Sequence, residues 1–147
     1  MKALSDKIMG AAIEVHKTLG PGLLEGAYER CLVHELVLQG IHAERQKKQS
    51  IKYRGLEIDE GYRIDVLVEG SIILELKAVD HLNNIHIAQL LTYLKLSGCR
   101  LGYLMNFNVK LLKDGIKRIA NDYPEESSAR SVCSAVKSVA GEANNPA

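Results

Sequence analysis

Residues 63–79 read Arg-Ile-Asp-Val-Leu-Val-Glu-Gly-Ser-Ile-Ile-Leu-Glu-Leu-Lys-Ala-Val. Apolar residues, many of them β-branched, flank Glu69-Gly70-Ser71, so the stretch predicts two strands, 62–68 and 72–79, joined by a tight turn. Three charged side chains interrupt the apolar runs: Asp65 in the first strand, Glu75 and Lys77 in the second. Side chains alternate along a strand, which puts Glu75 and Lys77 on one face. The turn decides whether Asp65 joins them. A three-residue loop sets Asp65 opposite Glu75, with Cβ atoms about 5 Å apart. A two-residue loop sets it opposite Leu74 and sends the carboxylates to opposite faces. The first register gives one wholly apolar face of Ile64, Val66, Val68, Ile72, Leu74 and Leu76. The other face then carries Arg63, Asp65, Glu75 and Lys77, with Leu67 and Ile73 at the turn end. That segregation favours the three-residue loop.

Two carboxylates directly opposed across a hairpin destabilise it when no counterion is present. Lys77 compensates in part, and a salt-bridged cluster is the plain structural account. A hard divalent cation compensates more fully, because Mg²⁺ takes one or two carboxylates and fills its octahedron with water and phosphate oxygens.

Outward from the hairpin the period changes. Leu4, Ile8, Ala11, Ala12, Val15 and Leu19 recur at helical spacing over 3–19, and Gly20-Pro21-Gly22 stops that helix. A second helical stretch runs from about Leu23 to Gln39, with Gly40 as its natural end. Residues 43–53 are polar with scattered apolar positions and predict an edge strand, followed by an Arg54-Gly55 turn. Helical spacing returns from Asn84 to Leu96, with Ile87, Leu90, Leu91 and Leu94 on one face. Residues 101–107 form an apolar run of strand length, and 109–120 hold room for one more short element. The order α-α-β-β-β-α-β predicts an α/β sandwich with a central sheet flanked by helices. Residues 122–147 differ in composition, rich in Ser and Ala, and read as a flexible or marginally helical tail beside a 1–121 domain.

Composition narrows the class. Residues 1–121 hold 17 basic and 14 acidic side chains, a mildly basic body that gives weak support to a polyanionic ligand. No apolar run reaches the length of a membrane span, and the N-terminus lacks the apolar core of a signal peptide, which predicts a cytoplasmic protein with no membrane partner. Cys31, Cys99 and Cys133 show neither zinc nor disulfide spacing; Cys31 and Cys99 read as small core residues. None of the five histidines is spaced for zinc.

Asp65 followed by Glu75-Leu76-Lys77 resembles the D…(D/E)xK core of the PD-(D/E)xK nuclease superfamily. Gly22-Leu23-Leu24-Glu25-Gly26-Ala27-Tyr28 matches the GxxExxY motif of the bacterial and archaeal family named for it. Ala88-Gln89-Leu90-Leu91-Thr92-Tyr93-Leu94 resembles that family's helix after the ExK strand, and Leu104-Met105-Asn106-Phe107 its final core strand. The resemblance spans residues 5–120 in the expected order. One departure is Ile64, which stands where the superfamily's name calls for Pro; that Pro ligates nothing.

The resemblance implies a restriction-endonuclease-like core with a mixed sheet. It also implies hydrolysis of phosphodiester bonds in nucleic acid, DNA ahead of RNA, with Mg²⁺ or Mn²⁺. Asp65, Glu75 and the backbone carbonyl of Leu76 would hold the metal, with Glu25 as a further ligand directly or through water. Lys77 would orient the attacking water, or deprotonate it. Gln89 and Tyr93 would line the site and touch the substrate backbone. Lys47 and Lys48, in a basic run with Lys52 and Arg54, read either as a solvated edge that blocks aggregation or as phosphate contacts. Tyr28 reads as packing, and His16 as a histidine near enough to approach Glu25. A catalytically silent nucleic-acid-binding or protein-interaction module on the same fold is the alternative. The sequence decides neither strand preference nor whether the chain acts alone, as a homodimer or in a larger complex.

Overall fold

The computed structural model describes residues 1–121, so the expected tail from 122 onward lies outside the described residues. Two helices open the chain, α1 (Lys2–Leu19) and α2 (Glu25–Leu38). Strands β1 (Ala43–Lys48), β2 (Ile51–Tyr53), β3 (Leu56–Ile58), β4 (Arg63–Val68) and β5 (Ile72–Lys77) follow. Helix α3 (Asn84–Ser97), strand β6 (Leu101–Asn106), a 3-10 turn at Leu112–Gly115 and strand β7 (Ile116–Ala120) complete the order.

The expected elements are present, with β2 and β3 as additions and the room at 109–120 filled by the 3-10 turn and β7. The polar stretch 43–53 is two strands rather than one, because β2 leaves the sheet and pairs with β3 around Arg54-Gly55, both at positive φ. Residues 109–120 supply β7, whose apolar residues are too few to announce a strand.

The main sheet has the order β1-β4-β5-β6-β7. Only β5 and β6 run parallel, joined through α3; the other neighbours are antiparallel. Helices α1 and α2 bury Ile8, Ala11, Ala12, Val15, Tyr28, Leu32 and Leu36 against one face, on Val66, Val68, Leu74, Leu76 and Met105. Helix α3 covers the other with Leu90, Tyr93 and Leu94, against Leu67, Ile73 and Leu104. At about 25 cal/mol per Å² of apolar surface removed from water, these two layers hold the sheet in place.

Close approach of α3 depends on Gly102 in β6. A Cβ there would stand 2.9 Å from a Leu90 methyl and 3.1 Å from the Ile73 carbonyl. No helix among the described residues is long and apolar enough to cross a membrane.

The hairpin register is the one the three-residue loop predicts: Val66 faces Leu74, Leu67 faces Ile73 and Val68 faces Ile72. Ile64 departs from expectation. It belongs to the α3 cluster with Leu67, not to the face of Val66. The alternation breaks beside Asp65, where Gln46 of the neighbouring strand takes φ 54 between the pairs Arg45–Val66 and Lys47–Ile64. Of the two cysteines expected as small core residues, Cys99 is buried in the α3 cluster, as expected, while Cys31 is exposed and free.

Candidate metal and active site

Beyond Val66–Leu74 the β4–β5 ladder changes character. The Asp65 backbone N–H donates to Glu75 Oε2 at 3.1 Å, and the Leu76 N–H donates to Asp65 Oδ2 at 2.9 Å. Each carboxylate thus reaches across to the other strand's backbone and takes the place of a ladder carbonyl. These bonds fix the carboxyl groups side by side. Glu75 is 3% exposed and Asp65 half-buried. Burial, then the Asp65 charge, pushes the Glu75 carboxyl up to about 9. Burial pushes Asp65 up to about 6, against the Leu76 N–H and the Lys77 ammonium, which lower it. The two are best described as one site that holds a proton near neutral pH.

Lys77 leaves β5 toward α3, where its Nζ donates to Gln89 Oε1 at 3.2 Å. Its charge is felt by both carboxyls. Gln89 is exposed, whereas the Tyr93 ring is buried in the α3 cluster. Burial and the Glu75 charge hold the Tyr93 hydroxyl above its ordinary value, against a hydrogen bond from Gln89. His86, in the first turn of the same helix, is a capping residue: its Nδ1 accepts from the Asn83 N–H at 3.1 Å.

From the opposite layer, Glu25 is the first residue of α2, where the helix dipole favours a carboxylate. Its Oε2 accepts from the Ala78 N–H at 3.2 Å, at the end of β5. Tyr28, one turn on, is packing, as expected: fully buried, stacked on Phe107, with its hydroxyl donating to the Gly20 carbonyl at 2.6 Å. His16 turns its Nε2 to the Val109 carbonyl at 2.9 Å rather than to Glu25. Lys47 and Lys48 lie on edge strand β1, near Glu44 (3.5 Å) and Asp59 (2.9 Å) respectively.

Two residues at the site were not singled out in the sequence. Glu29 is 4% exposed, accepts from Gln46 Nε2 at 2.9 Å and lies 2.9 Å from Arg45 Nε. Its charge is felt by Asp65. It is i+4 from Glu25, hence on the same helix face, and that spacing was the available signal. Asn106, 2% exposed, ties down the segment after β5. Its Oδ1 accepts from the N–H groups of Val79 and Asn108, and its Nδ2 donates to the Val79 carbonyl. At about 1 kcal/mol per bond, Asn106→Leu is expected to cost about 3 kcal/mol, read as a lower urea midpoint with an unchanged slope.

A family model described as the PD-(D/E)XK nuclease superfamily matches residues 2–119. The chain belongs to the PD-(D/E)XK nuclease superfamily. No curated protein and no solved structure matches it. The mixed five-stranded sheet flanked by helices is consistent with the superfamily's restriction-endonuclease-like fold, and the superfamily consists mostly of nucleases, which typically use divalent metals.

The residues present fit such a metal. Among the described residues no group of three His, Cys, Asp or Glu side chains stands assembled around one point. Two adjacent carboxyls do, Glu75 buried and Asp65 half-buried, and their oxygens are hard donors suited to Mg²⁺ or Mn²⁺. Their raised proton affinity is what such a pair shows without a cation.

Proposed function

We propose that the chain is a metal-dependent nuclease of the GxxExxY group, with residues 1–121 as its working unit. The observation that carries this reading is the reciprocal pair Asp65–Glu75, fixed by the opposite strand's N–H groups with Lys77 beside it. A pair this buried and this repulsive is costly for a domain that needs no counterion there.

Asp65, Glu75 and the Leu76 carbonyl would hold Mg²⁺ or Mn²⁺, with Glu25 joining directly or through a water. When bound, the ion would lower the pKa of a water and balance charge gathering on the phosphoryl group. Lys77 holds its ammonium against Gln89 of α3, close enough for both carboxyls to feel its charge. There it orients the attacking water and meets a phosphate oxygen. In its role orientation of the water comes before proton abstraction. Gln89 holds Lys77 and is exposed enough to touch the substrate backbone. Tyr93 supports Gln89 from the α3 layer, and Lys47 and Lys48 on β1 offer charge to neighbouring phosphates.

The test is cleavage of end-labelled single- and double-stranded DNA and RNA with Mg²⁺ or Mn²⁺, with chelator and Lys77→Ala as controls. Metal-dependent cleavage that Lys77→Ala lowers by about 10²-fold or more is expected. Binding of nucleic acid with no turnover on any substrate would instead favour a silent binding module.

A further inference from the structure

The β2–β3 hairpin has no role in the chemistry above. It forms its own two-stranded sheet, and none of Ile51, Tyr53, Leu56 and Ile58 belongs to either core cluster. Its register, Ile51–Ile58, Lys52–Glu57 and Tyr53–Leu56, puts those four apolar side chains on one face and the charged pair on the other. Toward the tip, Tyr53 and Leu56 are 61% and 58% exposed. A two-stranded hairpin is marginal in water without something to cover its apolar face.

Several observations point to what covers it. Exposed aromatic rings are confined to this region: among the described residues Tyr28, Tyr93, Tyr103 and Phe107 are buried, and Tyr53 and Tyr62 are not. The Arg54 guanidinium lies over the Tyr53 ring, 5.5 Å from its centroid, so a flat cation and a flat ring sit together at the tip. Of the arm's acids, Glu57 faces Lys52 across the ladder and Asp59 meets Lys48 at 2.9 Å, leaving Glu60 on the return. The arm is also continuous with the candidate site, since it grows from the ends of β1 and β4, closed at its base by the Gln49 N–H to the Tyr62 carbonyl at 2.9 Å.

We infer that this hairpin is a substrate arm that stacks unpaired nucleotides on Tyr53 while Arg54 meets their phosphates. The inference rests on the nuclease reading and adds a substrate class to it. A ring outside the body takes a base by its π face only where that base is unstacked from its neighbours, which favours single strands, loops or frayed ends over duplex. The reach is bounded. Gln46 sits opposite Asp65, and the chain from there to Tyr53 spans at most about 25 Å, or about seven stacked nucleotides. Tyr53 therefore lies within reach of a strand that extends past the scissile phosphate by up to about seven nucleotides.

The test is fluorescence anisotropy with labelled DNA and RNA strands, about 20 and about 4 nucleotides long, and a matched duplex. Full-length chain carrying Asp65→Asn, to prevent cleavage, is compared with the same chain carrying Tyr53→Ala or Tyr53→Phe. Expected is a roughly tenfold loss of affinity for long single strands with Tyr53→Ala, retention with Tyr53→Phe, and no larger loss for short strands or the duplex. Tyr53→Ala alone, in the chain with native Asp65, keeps its melting temperature. Equal affinity of Tyr53→Ala for long strands overturns the arm. So does a change of oligomeric state on Tyr53→Ala, which would make the face a contact between copies. If the chain with native Asp65 cleaves nothing with any metal, the nuclease reading fails too; if it cleaves but Tyr53→Ala is silent, only the arm fails.

Discussion

Asp65→Asn is expected to lower metal-dependent cleavage by about 10²–10³-fold and, in the same protein, to raise the melting temperature of the metal-free chain at pH 8. The loss follows from removing one of two charged oxygen donors to an ion whose charge stabilisation is worth several kcal/mol. The gain follows from geometry. Asparagine keeps an oxygen that can accept the Leu76 N–H, the bond Asp65 makes at 2.9 Å. It removes the charge that, after burial, most strongly opposes ionisation of Glu75. Relief of about 1 kcal/mol corresponds to roughly 4 °C in a domain of this size. A merely structural ion-pair cluster predicts the opposite sign, because breaking it leaves Lys77 with less to pair. Thermal melts of both proteins in chelator, run beside the cleavage assay, separate the two accounts.

The second large effect is on pH. The folded carboxyls bind protons more tightly than the unfolded chain does, with Glu75 raised to about 9 and Asp65 to about 6. For acids raised in this way the folded state holds more protons, so stability is greatest below the unfolded value, near 4, and falls as pH rises toward the folded values. The slope is about 1.4 kcal/mol per pH unit for one proton, so between pH 5 and pH 8 the metal-free protein is expected to lose up to about 4 kcal/mol. Mg²⁺ or Mn²⁺ replaces the proton and should flatten the dependence, with its largest stabilisation at high pH. Urea midpoints across pH 5–8 with chelator and with Mn²⁺ measure this. Metal-free stability that rises with pH would mean the pair is compensated by the protein itself.

The hairpin shows how far sequence carries the argument. Its register was legible because only one turn length sorts the side chains into an apolar face and a charged one, and Val66–Leu74 bears that out. Ile64 was misplaced by the same alternation rule. The rule holds only where the ladder is regular, and beside Asp65 the carboxylates take over its bonds while Gln46 sits at φ 54. Asp65, Glu75, Lys77, Gln89 and Glu25 could be nominated from motif and spacing, and the structure joins them through the bonds at Ala78 and Gln89. Glu29 shared a helix face with Glu25 by its i+4 spacing, but Asn106 gave no such signal, and a buried polar residue is told from a solvated one only when the facing layer is known. The β2–β3 arm was half-legible: Arg54-Gly55 announced the turn, but three-residue strands are too short to show a period.

The measurement that bears most directly on the Asp65–Glu75 pair as a metal centre is calorimetric titration of Mn²⁺ into the metal-free chain at pH 5.5 and pH 8. The prediction is one ion per chain, at least about tenfold tighter at pH 8, with proton release seen as a buffer-dependent enthalpy and no binding by Asp65→Asn. Absence of Mn²⁺ binding by the wild-type chain at pH 8, or equal binding by Asp65→Asn, would contradict it.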